Sequence, residues 1–129
     1  MFILKLIKLL KNSKFIFGKP ATCDLIVFDC ETSTELKYLF KDKNYYLLKI
    51  RSDKIDKIYL NFQILLSVFL NFFNRSVKIN YLSALIIQLN PKIILTKYDN
   101  SLEFYQLNKV LKNSKIKFID VQGGIRTTN

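Results

Sequence analysis

Histidine is absent from the 129 residues, which excludes imidazole acid–base catalysis and histidine metal ligation within this chain. The two cysteines, Cys23 and Cys30, fit neither a zinc-ligand pattern nor a disulfide framework. Nothing about them requires an oxidising compartment, and a reducing, cytoplasmic one is the simpler reading. Three glycines and two prolines exclude collagen-like and Pro/Gly-rich low-complexity chains. No dense carboxylate cluster and no G-x-G-x-x-G fingerprint occurs, so neither a metal site nor a dinucleotide site is supported and no cofactor is expected.

Half of the residues are hydrophobic and 24% are charged, the balance of a folded chain long enough for one domain with a real core. The formal net charge is +11, from 21 Lys+Arg against 10 Asp+Glu. An excess of this size points to an anionic partner: nucleic acid, a membrane surface or a phosphorylated substrate. Almost all of it is lysine, since arginine occurs only at 51, 75 and 126, and Lys, Ile and Asn rise together as an AT-rich coding bias would produce. The lysines form no dense block and the aromatics follow core periodicity, so nucleic acid is not expected as a partner.

Residues 1–11, MFILKLIKLLK, place Phe2, Ile3, Leu6, Ile7, Leu9 and Leu10 on one helical face with Lys5 and Lys8 outside it. A basic amphipathic helix of this kind lies on an anionic membrane surface or packs on its own domain. It is too short to span a bilayer and lacks a signal-peptide cleavage site. Asn12, Ser13, Gly18 and Pro20 break the pattern, which sets off an N-terminal segment, 1–20, from a domain over 21–129. Within that domain, LIVF (25–28) reads as a buried strand, TSTELKYLF (32–40) as a short capped helix, and YYLLKI (45–50) as a second strand followed by a turn at 52–54. The uncharged run IYLNFQILLSVFLNFF (58–73) falls about four residues short of a membrane span and reads as a soluble core helix. A helix over 80–90 is stopped by Pro91. KIILT (92–96) is a strand. A helix over 101–112 follows, with Asn100 as its N-cap and Glu103 completing a capping-box-like start, and IKFIDV (116–121) is the last strand. Strands alternating with helices imply right-handed crossovers. The expected fold is therefore α/β: a single domain with an open, mostly parallel, Rossmann-like sheet and helices on both faces.

Ligands of such sheets gather beyond the carboxyl ends of the strands. Those ends offer Asp29, Cys30 and Glu31; then Tyr98, Asp99 and Asn100; then Gln122, Gly123, Gly124, Ile125 and Arg126. The Asp29/Glu31 pair has no neighbour that would assign acid and base roles. Asp99 and Asn100 precede a helix N-terminus, where backbone N–H groups favour anions and equally favour plain capping. In the QGGIR loop two glycines let the backbone approach a ligand closely, and Arg126 is able to grip a carboxylate or phosphate in a bidentate way. A glycine turn with a surface arginine has the same sequence.

The stretch 81–126, with its helix, PKIILT, DNS opening a helix, KFIDVQ and a Gly-x-Arg loop, resembles the N-terminal region of putative surface carbohydrate biosynthesis proteins. These are transferase-like proteins related in architecture to two-domain GT-B glycosyltransferases. The close resemblance covers about a third of the chain. The family usually has Gln-Asn-Gly where this chain has Gln122, Gly123 and Gly124, so a side-chain amide is missing at 123. The resemblance implies the acceptor-side, N-terminal half of such an architecture, with the nucleotide-sugar-binding C-terminal domain not included in these residues. It places Asp99, Asn100, Gln122, Gly123, Gly124 and Arg126 on the rim of an inter-domain cleft. It also implies a sugar acceptor or nucleotide sugar as partner, and no activity without a second domain. The alternative is a non-enzymatic basic α/β module, cytoplasmic and peripheral on the inner membrane face, held there by helix 1–11 and the lysines.

Overall fold

The structure, a computed structural model, describes residues 1–28, 42–51, 55–97 and 101–121. In chain order its elements are α1 (Phe2–Asn12), β1 (Lys14–Ile16), β2 (Leu25–Phe28), β3 (Tyr45–Leu48), β4 (Lys57–Tyr59), α2 (Phe62–Leu70), α3 (Val77–Leu89), β5 (Ile93–Thr96), α4 (Leu102–Val110) and β6 (Lys117–Asp120). Four strands form one sheet in the order β3-β2-β5-β6, and every pairing is parallel. The domain is α/β, built on an open parallel sheet of Rossmann-like kind, as the alternation of apolar runs implies.

The run LIVF becomes the central strand because each of its side chains finds a buried face. Ile26 and Phe28 join Ile94 in the main core, and Leu25 and Val27 join Leu95 in a second cluster on the opposite face, as the period of two requires. On the main face α3 is the most deeply buried of the described helices, with Leu85, Ile86 and Leu89 all but sealed from water. It starts at Ser76, whose hydroxyl accepts from the Ile79 N–H, and it ends at Asn90 in the left-handed conformation (φ 50°) just before Pro91. α4 adds Phe104, whose ring meets Phe28 at 5.8 Å and Phe118 at 5.4 Å. Among the described residues the second cluster is made of strand side chains alone, with Leu47 and Ile93 packed on it. The short helix expected over 32–40 lies outside the described residues, as does the turn expected at 52–54.

Three expectations are corrected. The run 58–73 is not one core helix. Its first residues belong to β4, and α2 begins only after Asn61, whose side-chain oxygen accepts from the Ile64 N–H at 3.1 Å. An asparagine in extended conformation that caps the next residues ends one element and starts another, whatever the hydropathy around it. Nor is α2 a core helix, since Ile64 is its one buried residue. The cap of α4 is Ser101, accepting from the Phe104 N–H at 3.3 Å, in place of Asn100. This leaves Glu103 to pair with Lys78 of α3 at 3.0 Å.

β1 and β4 form a separate two-stranded parallel sheet, with Phe15 opposite Ile58 and Ile16 opposite Tyr59. Ser13 Oγ donates to the Ile55 carbonyl at 2.9 Å, and Asn61 Nδ2 donates to the Gly18 carbonyl at 3.3 Å. Residues 13–18 are thereby bonded into the rest of the chain. No described helix is long and apolar enough to cross a membrane.

Candidate functional site

Two concave regions are candidates. The first is the carboxyl end of the four-stranded sheet. The strand order turns outward in opposite directions from β2 and β5, so a topological switch point lies between them. Thr96, fully buried, donates its hydroxyl to the Phe28 carbonyl at 3.1 Å and ties the two strand ends together. The Val121 N–H donates to the Thr96 carbonyl at 2.8 Å, so Lys97 and Val121 leave neighbouring strands at the same edge. From these roots the chain runs on to the expected site residues. Asp99, Asn100, Gln122, Gly123, Gly124 and Arg126 all lie outside the described residues, as do Asp29, Cys30, Glu31 and Tyr98. The residue that sequence reasoning missed here is Asp120, opposite Thr96 in β6. One of its carboxylate oxygens is buried with no hydrogen-bond partner among the described residues. The signal was present, as a lone acid at the end of IKFIDV.

The second region is a groove of about 980 Å³ enclosed by α1, β3, β4, α2 and α3. Tyr46, Leu48, Ile64, Val68, Tyr81 and Leu85 are among its lining residues, which run from Phe2 to Glu103, out of reach of any local motif. Burial pushes both tyrosine hydroxyls upward in pKa. At Tyr46 the neighbouring Tyr59 and Tyr81 add to the shift, whereas at Tyr81 the hydrogen bond from the Tyr59 N–H (2.9 Å) opposes it. Both are therefore neutral phenols at any physiological pH. Five cationic residues, including Lys5 and Lys57, lie along the groove against two acidic ones, Asp56 and Glu103. Asp56 pairs with Lys49 at 3.2 Å and Glu103 with Lys78. Burial would raise the Glu103 carboxyl, but its own backbone N–H and the Lys78 ammonium outweigh that and hold it below the usual range.

Neither region contains an activated nucleophile or a metal centre among the described residues. Cys23 is buried, and desolvation, with the Asp24 charge beside it, pushes its thiol up to about 11, the opposite of a reactive thiolate. No group of three His, Cys, Asp or Glu able to hold a metal occurs among the described residues.

No family model, curated protein or solved structure matches this chain.

Proposed function

We propose that the chain is a basic α/β module that docks peripherally on an anionic membrane surface through α1 and α2. One observation carries this reading. α1 is built of apolar residues and lysines, yet none of its residues is buried, and Ile3, Ile7 and Leu10 are all more than half exposed. An isolated helix of this length is marginal in water, so a sequence this apolar needs a surface to lie on. The outward side of α2 continues the pattern, with Phe69 at 76% and Leu70 at 67% exposure and Phe73 beyond the helix at 96%. Exposed apolar surface of this kind marks an interaction site. The lysines at 5, 8 and 11 and the net charge of +11 select an anionic one. Cosedimentation with vesicles tests it. The chain pellets with phosphatidylglycerol vesicles at low salt, less with phosphatidylcholine, and Ile3→Ser, Ile7→Ser and Leu10→Ser together release it. Equal pelleting of parent and triple variant, or no pelleting of the parent, overturns the reading.

The strand ends favour a second reading: the N-terminal half of a glycosyltransferase-like enzyme of surface carbohydrate biosynthesis. Its support is the switch point between β2 and β5, with Thr96 and Asp120 side by side at the roots of segments 98–100 and 122–126. In this reading Asp99 orients an acceptor hydroxyl, Arg126 meets a phosphate, and a second domain supplies the nucleotide sugar. Residues 1–129 alone then bind an acceptor without transferring sugar. Turnover of a nucleotide sugar by the purified chain without any partner sinks the half-enzyme idea.

A further inference from the structure

We propose that the groove between α1 and α3 takes one acyl chain of an anionic lipid, drawn from the bilayer on which α1 and α2 rest; the proposal deepens the membrane reading and rests on it. The wall of the groove is mostly aliphatic and phenolic, with the charged residues already named set among those side chains. Its volume of about 980 Å³ lies at the upper end of the ~300–1,000 Å³ typical of small-molecule sites. A sugar placed against the apolar part of that wall would lose the water around its hydroxyls and gain few hydrogen bonds in return, which disfavours it. A methylene chain loses nothing of the kind. Phe2, Lys5 and Leu9 recur along α1 at helical spacing and face the groove, while Ile3, Ile7 and Leu10 remain exposed. The helix is thus one wall of the groove and also part of the apolar surface outside it. A chain passing from bilayer to groove stays in contact with apolar side chains on that route. Lys5 and Lys57 are the groove-lining lysines with no ion pair among the described residues, and they supply the charge for an anionic headgroup at the mouth.

The test uses palmitoyl, myristoyl and lauroyl lysophosphatidylglycerol, each below its micelle-forming concentration, titrated calorimetrically into the full chain. The expected result is one lipid per chain, with affinity rising roughly tenfold for each added pair of methylenes. Glycerophosphoglycerol, the headgroup alone, should not bind, and the zwitterionic lysophosphatidylcholine of equal chain length should bind several-fold more weakly. Val77→Trp and, separately, Leu65→Trp fill the groove from half-exposed positions and should each weaken binding about tenfold, with circular dichroism confirming that both fold. The Ile3, Ile7 and Leu10 triple variant, whose altered side chains lie outside the groove, should keep lysolipid binding while losing vesicle pelleting. Absence of lysolipid binding, headgroup binding equal to that of the lipid, no dependence on chain length, or indifference to both tryptophan variants overturns the groove proposal. Vesicle pelleting by the parent would survive each of those results, so failure of the groove is distinguishable from failure of membrane docking.

Discussion

Replacing Asn61 with alanine should destabilise the protein by about 2–4 kcal/mol. The side chain makes four hydrogen bonds. Its oxygen accepts from the Ile64 N–H at 3.1 Å and from Gln88 Nε2 at 2.9 Å; its nitrogen donates to Gln88 Oε1 at 2.8 Å and to the Gly18 carbonyl at 3.3 Å. Loss of an N-cap costs about 1 kcal/mol, and each amide–amide bond contributes about as much. The long bond to Gly18 adds less. Gln88 is buried and keeps only Gln63 as a side-chain partner, at 3.0 Å, so its carbonyl oxygen is left unpaired. α2 has nine residues, too few to persist without its start signal and its packing. In urea, with a slope of roughly 1–2 kcal/mol/M for a small domain, the midpoint should fall by about 2 M. Asn61→Asp keeps the cap oxygen and places a negative charge at the helix N-terminus, so it should recover part of the loss. Gln88→Leu combined with Asn61→Ala should cost less than the sum of the two singles, because the two amides are direct partners. A midpoint for Asn61→Ala within about 0.3 M of the parent would refute the assignment of Asn61 as the joint between β4, α2 and α3.

Phe104→Ala removes a buried ring packed against Phe28 and Phe118 and should cost about 3–5 kcal/mol in chemical denaturation; a loss under about 1 kcal/mol would mean α4 does not seal the main core. Because Glu103 has a lowered pKa when folded, its contribution is present above the ordinary carboxylate pKa and is lost as pH falls through the folded value. The stability gap between parent and Glu103→Gln, under about 1 kcal/mol for so exposed a pair, should therefore be seen at pH 7 and shrink as pH falls below the ordinary carboxylate range, and a gap that widens on acidification contradicts the pairing with Lys78. The Cys23 thiol, pushed up to about 11 by burial, should resist a thiol reagent at pH 8 until denaturant is added, read by mass spectrometry of the Cys23 peptide; rapid labelling of the native chain would place Cys23 at the surface.

Much of the architecture was legible from local pattern. LIVF and KIILT became neighbouring parallel strands because short branched apolar runs satisfy a sheet buried on both faces, and IKFIDV joined them as a half-exposed edge strand. Pro91 and the apolar spacing over 80–90 located the end and the body of α3, although its true start, Ser76 with Ile79, lies several residues earlier. The candidate site was less legible. The strand-end loops follow from counting elements, but the roles of Asp99, Asn100, Gln122, Gly123, Gly124 and Arg126 rest on a resemblance that no comparison supports, and Asp120 was passed over as an ordinary strand residue.

What the sequence determined alone is whatever depends on neighbours a few positions apart: the α/β alternation, the amphipathic face of α1, the surplus of lysine and the lack of histidine chemistry. Only the tertiary structure decided what depends on residues distant in sequence. The pairing of 14–16 with 57–59 broke the longest apolar run at Asn61, turned its second half into a helix with one buried residue, and opened a groove between segments 40 residues and more apart. Hydropathy cannot tell an apolar side chain that will be covered by its own chain from one that will not. That difference is set by which surfaces the folded backbone brings together, and here they leave α1 and the outer side of α2 uncovered.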